Sequence, residues 1–461
     1  MKNIIISLLC LSLWACEDFV EIDPPNTIVT SEVVFDSDET ALSAVIGIYN
    51  QLYPRAFSSG GENSVTVLAG LSAHTLTNLR VTNLDYIEFK DHALMPDNIR
   101  NTALWSSAYN IIYMCNSALE GIQNSSAINE ELAQHLEGEV RFIRAFSFFY
   151  LVNLYGEVPL TLTTNYQLNA SLENSSTEAV YEQILLDLEL ALAQLPLSYR
   201  ENDRIYANYY AASALMARVY VYLENWQQAD FYSTQLINNS DNYSLEEDLD
   251  DVFLANSDEA IWQITPRGSG SSMTYTNEGG TFLFHPVLSS LTRVALSSEF
   301  VSNLDTNDLR YQHWVGYHSG TENYYAHKYK DRSSIDNLTE YSMVLRLAEQ
   351  YLIRAEARAR QNDLQGAIAD LNMIKNRAGI DLLSTSDPAI TQQTLLEEIL
   401  EERKVELFTE WGHRWLDLKR TQKVGDVLSE ISPNWQSTDQ LYPIPEEELL
   451  SNPNLIPNPG Y

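Results

Sequence analysis

Apolar residues recur at helical spacing through most of this chain, and that periodicity restricts the fold more than any other feature of the sequence. Ala41, Leu42, Ala44, Val45, Ile48, Tyr49 and Leu52 trace one helix face, and Trp105, Ala108, Tyr109, Ile112, Cys115 and Leu119 trace another. The pattern continues through Leu132 to Leu154, Ala179 to Leu195, Tyr209 to Leu223, Met343 to Ala359, Gly366 to Ile374 and Leu395 to Phe408. A helix with one apolar stripe must bury it against a neighbour, so the spacing predicts helix on helix, a mainly α fold. Two stretches read as copies of one hairpin: Ala217 and Ala229 flank the polar turn Glu224-Asn225, and Ala355 and Ala367 flank Asn362-Asp363 at the same spacing. Small residues there let two helices approach closely, and Asn or Asp in the turn accepts from the free N–H groups of the second helix. The spacing matches the small-residue positions of a tetratricopeptide repeat of about 34 residues, although its Trp and Pro signature positions are not all present.

Residues 238–341 follow another rule. Gly, Ser, Thr and Asn interrupt the pattern in Pro266-Arg267-Gly268-Ser269-Gly270-Ser271-Ser272, Asn277-Glu278-Gly279-Gly280 and Tyr317-His318-Ser319-Gly320-Thr321, with strand-like pieces such as Ala260-Ile261-Trp262-Gln263-Ile264 between them. Irregular stretches of this length inside a compact chain are uncommon and tend to carry function, so a loop-rich ligand-binding lobe is expected here. With 28 Lys+Arg against 63 Asp+Glu, the net charge is −35 and no basic stripe offsets it. A surface that tracks phosphates needs clustered cations, which excludes nucleic acid as a partner and gives an anionic bilayer no purchase by charge alone.

The N-terminus opens with Met1-Lys2-Asn3 and continues apolar from Ile4 to Ala15, broken only by Ser7 and Ser12, before Cys16. A short positive region and an apolar run too short to span a bilayer describe a secretory signal, residues 1–15. Leu13-Trp14-Ala15-Cys16 resembles the lipobox of bacterial lipoproteins, in which the Cys becomes the first mature residue and carries lipid. Several acyl chains, at about 0.8 kcal/mol per buried CH₂, anchor a protein firmly without a membrane-spanning helix. With Cys10 removed and Cys16 acylated, only Cys115 remains, so no intramolecular disulfide is available; Cys115 reads as a buried, inert thiol. The expected organisation is a signal at 1–15, a lipidated tether at 16–30, helical regions at 31–237 and 342–461, and the loop-rich lobe at 238–341.

Four motifs carry a resemblance. They are Cys16-Glu17-Asp18-Phe19-Val20-Glu21-Ile22-Asp23-Pro24; the stretch Met343 to Ala357 with Leu371-Asn372 and Asn376-Arg377-Ala378-Gly379; Glu402-Arg403-Lys404-Val405-Glu406-Leu407 with Gly412-His413-Arg414-Trp415-Leu416-Asp417-Leu418-Lys419-Arg420; and the tail from Tyr442-Pro443-Ile444-Pro445 through Asn452-Pro453 to Asn458-Pro459-Gly460-Tyr461. In this order they resemble the SusD/RagB family of outer-membrane nutrient-binding lipoproteins, departing from its pattern at Trp411 and Pro457. The resemblance implies a base of tetratricopeptide-like hairpins, a loop-rich ligand lobe, and a SusC-like TonB-dependent transporter as partner, with the protein seated over the barrel as a lid. It further implies an oligosaccharide ligand or, in the RagB branch, a peptide, and an exterior-facing anchor signalled by Glu17 and Asp18.

Chemistry-bearing motifs are few. The charges between Glu402 and Arg420 include Arg403 with Glu406 and Glu410 with Arg414 at helical ion-pair spacings, and a structural network is expected. The run Glu246-Glu247-Asp248-Leu249-Asp250-Asp251 lacks the Gly and alternation of a calcium loop, and His313 and His318 have no third ligand at zinc spacing, so no metal site or cofactor is expected. GxSxG, HExxH, GxxxxGK and GxGxxG are all missing from the sequence, which argues for binding rather than catalysis. A sugar presents C–H patches and rim hydroxyls, so its site wants flat rings to stack on, with amide, carboxylate and guanidinium groups around them. Tyr275, Asn277, Glu278, Trp314, Tyr317 and Tyr324 in the lobe, with Arg80, Asn83 and Tyr86 from the early interhelical segment, form the expected ligand set; Phe282, Asn323 and Tyr325 lie close by. An acidic sugar would need a local basic pocket, for which Arg267, Arg293 and Arg310 are candidates. The rival readings are a RagB-like peptide binder and, from another class, a periplasmic repeat scaffold that recruits proteins.

Overall fold

Residues 34–80, 82–268, 274–335 and 338–461 are described by the computed structural model of the chain. The signal, Cys16 and the tether therefore lie outside the described residues. Helix α1 (Asp38–Leu52) starts where the Ser37 hydroxyl accepts from the Thr40 N–H, and it buries Ala41, Val45, Ile48 and Leu52, the stripe its sequence spells out. After α2 (Val65–Ser72), β1 (Leu76–Asn78) and α3 (Leu84–Lys90) come the long helices α4 (Ile99–Asn124) and α5 (Glu130–Tyr155). Helix α5 packs between α4 and α6 (Thr177–Gln194), and α7 (Tyr209–Tyr222) with α8 (Trp226–Ile237) forms the first predicted hairpin. Cys115 is fully buried in α4, where burial pushes its thiol pKa up, as an inert core residue requires.

The lobe contains β2 (Ala260–Ile264), α9 (Asn277–Phe282), β3 (Val294–Leu296), α10 (Leu309–Trp314), β4 (Val315–His318) and β5 (Asn323–Ala326). Strand β6 (Ser342–Arg346) then leads into α11 (Leu347–Arg360), α12 (Leu364–Arg377), α13 (Gln392–Glu406) and α14 (His413–Arg420). The two hairpins α7–α8 and α11–α12 match in detail. Glu224 and Asn362 take left-handed backbone at φ 53° and 65°, and the next residue caps each second helix, Asn225 accepting from the Gln228 N–H at 3.2 Å and Asp363 from the Gly366 N–H at 2.9 Å. All four flanking alanines are fully buried, and α8 stacks on α11, where Ala217, Val221 and Ala229 meet Ile353 and Ala357. The fold is mainly helical, as the periodicity predicts, and the tetratricopeptide-like reading is consistent with these hairpins. No described helix is long and apolar enough to cross a membrane.

Strand pairing stitches the lobe to both of its flanks. β1 pairs antiparallel with β3, β2 with β6, and β4 with β5. Beneath the lobe lies a buried ion network. Glu406 accepts from Arg346 at 2.6 Å, Arg310 at 3.0 Å and Arg377, while Glu410 takes Arg346 at 2.7 Å and Lys328 at 2.5 Å. Arg403 pairs with Asp417 at 2.8 Å, and Arg420 joins Asp417 to Glu356. A structural network between Glu402 and Arg420 is thus present. The within-helix pairs read from spacing are not its basis, because α13 ends at Glu406 and the acids reach across to the lobe instead.

Candidate functional site

Three segments meet at one rim: the turn after β1, the loop from Leu283 to Arg293, and the β4–β5 hairpin. The Leu79 N–H donates to the Arg293 carbonyl at 2.8 Å, and the Arg80 guanidinium donates to the Ser290 carbonyl. Asn78 holds the turn by accepting from the Arg80 N–H at 3.0 Å and donating to the Arg80 carbonyl at 2.7 Å. From the far side, Arg332 donates to the carbonyls of Gly280 at 2.5 Å and Leu283 at 2.6 Å. Two guanidinium groups therefore clamp the same loop at its two ends. Arg293 pairs with Glu62 at 2.8 Å, both groups partly exposed.

Register determines what the hairpin presents. Tyr317 lies opposite Tyr324 and Gly316 opposite Tyr325, so side-chain alternation puts the two tyrosines on one face and Tyr325 and His318 on the other. The Tyr317 and Tyr324 rings lie 4.9 Å apart, with Tyr317 52% exposed. On the opposite face Phe284 stacks on His318 at 4.4 Å with the planes 9° apart, and meets Tyr325 at 5.6 Å. A Cβ at Gly316 would clash with the Tyr325 ring, so a larger residue there must push that ring aside. Leu84, Val287, Leu288 and Leu291 add exposed aliphatic surface to the rim.

The expected set divides. Arg80, Asn83, Tyr317 and Tyr324 are exposed or half-buried on the segments of this rim, and Tyr275 is half-buried against Gly280; Asn83 precedes α3 and leaves its side chain out of the helix cap. Trp314, Tyr86 and Glu278 are corrections, because burial removes them from any ligand surface in this structure. Trp314 sits one turn after Arg310 on the same face of α10, and the buried Arg310 turns that face inward, leaving the indole over Lys328 at 4.6 Å and its N–H on the Leu249 carbonyl at 2.9 Å. The Tyr86 ring lies under Arg100 at 4.0 Å, with its hydroxyl donating to the Glu62 carbonyl at 2.8 Å. Asn277 is half-buried and donates to the Tyr53 carbonyl at 3.0 Å, while Tyr53 donates to the Tyr275 carbonyl at 2.9 Å. Glu278 fills the space that Gly60 leaves open and accepts from the Ser342 hydroxyl; burial raises its carboxyl to about 7. Arg310, a candidate for a basic pocket, is enclosed by Asp308, Glu402 and Glu406 and cannot serve as one.

Sequence reasoning missed Phe284, the pairing role of His318, and Arg332. Period-two alternation through Gly316 to His318 was the available signal for the imidazole; Phe284 had none, because only the tertiary arrangement brings it to the hairpin. His313, Asp248 and Asp250 lie close together, yet Asp250 is already held by Lys330 at 2.8 Å and His313 at 3.2 Å. An ammonium in that cluster answers its charge from within the protein.

This geometry defines a class of protein, a helical-hairpin scaffold that presents a loop-built rim of rings and guanidinium groups. The chain is similar to SusD-family proteins along nearly its whole length. Residues 311–461 match the model described as "SusD family", and residues 18–221 match one described as "Starch-binding associating with outer membrane". SusD-like protein P25 of Formosa agariphila is 26% identical over 99% of this chain and 98% of its own length. A SusD superfamily protein from Bacteroides vulgatus superimposes with a TM-score of 0.80 at 21% identity, covering 92% of this chain and 99% of that one. Surface glycan-binding protein A from Bacteroides thetaiotaomicron, in complex with laminarihexaose, gives a TM-score of 0.76 at 18% identity over 92% and 99% of the two chains.

Proposed function

We propose that the protein captures an oligosaccharide at the rim between Arg80 and the β4–β5 hairpin and passes it to a SusC-like TonB-dependent transporter. Cys16 carries the lipid anchor, residues 16–30 are the tether, and the lobe faces the cell exterior from the outer membrane. The observation that carries this reading is the pair of rings on one face of the β4–β5 hairpin, Tyr317 exposed and Tyr324 half-buried, at a rim whose adjoining loop is held by the Arg80 and Arg332 guanidinium groups. Such a site needs only to hold and release its ligand, so we read the chain as a binding protein and not an enzyme. The resemblance to a protein solved with laminarihexaose supports a glycan ligand.

The test is affinity electrophoresis in glycan-containing gels. Replacing Tyr275, Tyr317 and Tyr324 together by Ala should abolish retardation and leave the helical circular dichroism unchanged; unchanged retardation would place the ligand elsewhere. A peptide ligand is the second reading, favoured by the exposed Leu84, Val287, Leu288 and Leu291, and capture of peptides but of no glycan would establish it in place of the first. Protection of the chain from protease added to intact cells would instead support an inward-facing scaffold.

A further inference from the structure

Among the described residues almost every cation is matched by a carboxylate, as 63 acids against 28 bases in the sequence would lead one to expect. Among the described residues the exceptions are Arg55, Arg80, Arg332, Arg360 and Lys419. Lys419 donates to the Asn153 carbonyl under the scaffold, and Arg360 lies over the Trp226 ring at 5.2 Å, away from the lobe. Two of the other three, Arg80 and Arg332, hold the rim loop, clamping Leu283–Arg293 by its backbone carbonyls, and Arg332 lies close enough to the Tyr275 phenol to interact with it. Arg55 follows Tyr53, whose hydroxyl holds the Tyr275 carbonyl, and its Nε is buried without a hydrogen-bond partner.

In a chain this acidic, uncompensated positive charge concentrated at one surface is a constraint on what that surface receives. Backbone carbonyls orient a guanidinium without cancelling its charge. Arg80 uses one Nη on the Ser290 carbonyl and keeps its remaining N–H donors on an exposed side chain at the edge of the rim. A guanidinium fork fits the paired oxygens of a carboxylate or sulfate, and charge-assisted bonds of this kind are about twice as strong as bonds to a neutral hydroxyl. Repulsion from the remaining surface is screened over about 8 Å at physiological salt, so groups in contact with the ligand decide the outcome.

We propose that the sugar held at this rim is anionic, its ring bearing a carboxylate or a sulfate ester, with Arg80 contacting the anion and Arg332 reinforcing the local positive field. This rests on the glycan-capture reading above and narrows its ligand class. The experiment is calorimetric titration of the full chain, purified in mild detergent, with an oligogalacturonide, a sulfated galactan oligosaccharide and neutral laminarihexaose at low and high NaCl. One of the two anionic sugars is expected to bind at least ~10-fold more tightly than the neutral one at low salt, and the advantage should shrink as salt rises. Which of the two binds identifies carboxylate or sulfate as the recognised group. Arg80→Gln should remove ~10-fold or more of the anionic affinity while Arg80→Lys retains part of it, with circular dichroism unchanged in both. Equal or tighter binding of laminarihexaose, or an Arg80→Gln loss that is the same for charged and neutral sugars, overturns the anionic assignment and leaves glycan capture standing. Binding of none of the three sugars overturns both.

Discussion

Glu406→Gln tests whether the buried charges beneath the lobe hold the fold together. Glu406 is fully buried, and its carboxylate accepts from Arg346 at 2.6 Å, Arg310 at 3.0 Å and Arg377, while its backbone carbonyl accepts from Lys328 and from Arg346 at 2.8 Å. Glutamine has nearly the same shape but one acceptor oxygen and an NH₂, so at least one guanidinium is left facing a donor with no water to turn to. Breaking a buried pair in this way costs about 3–5 kcal/mol, because the stranded charge stays desolvated. Urea unfolding followed by circular dichroism and tryptophan fluorescence should show a midpoint lower by about 1 M or more at a slope near 3 kcal/mol/M. The exposed Lys404–Glu401 pair provides the contrast: Lys404→Met should change stability by less than about 1 kcal/mol. The acid side follows with the same sign. Burial raises the Glu406 pKa, but Arg377, Arg346 and Arg310 outweigh it and hold the carboxyl well below its ordinary 4.5. Its contribution is therefore present above pH 4.5 and lost as pH falls below that value. If Glu406→Gln unfolds within about 0.5 kcal/mol of the native chain, the network is not what secures the lobe to the base.

Two further outcomes are expected. Burial raises Glu278 and Glu340 to about 7 in the fold against an ordinary 4.5, so the stability they confer is complete below pH 4.5 and lost as pH rises through about 7; Glu278→Gln should remove its share of the decline in melting temperature between pH 4.5 and 7, and an unaltered profile would refute this. Gly316→Ala should overpack the hairpin against Tyr325 at a cost of about 1–3 kcal/mol, read as a lower thermal midpoint with a changed near-ultraviolet aromatic signal; an unshifted midpoint would show that the ring moves freely aside.

The scaffold was legible because its signals are local. Apolar stripes, the paired alanines and the cap positions Asn225 and Asp363 all act within a few turns of their own helix, and each does in the structure what its spacing implies. The ion network was legible only as a concentration of charge. Glu406 and Glu410 find Arg310, Lys328 and Arg346 across the packed interior, and no periodicity encodes a partner that distant. The site was partly legible for a related reason: turn-rich sequence located the rim and its tyrosines, but it could not tell an outward ring from an inward one. Trp314 shows what decides that question. A six-residue helix has too few apolar positions to declare its buried face, so the face is set by whichever neighbour is most costly to leave in the wrong place, and in α10 that neighbour is Arg310 with its three acids. Tyr317 stays outside because the far face of its two-stranded hairpin is already filled by Phe284, His318 and Tyr325, while its cross-strand neighbour Tyr324 takes the half-buried place against the core.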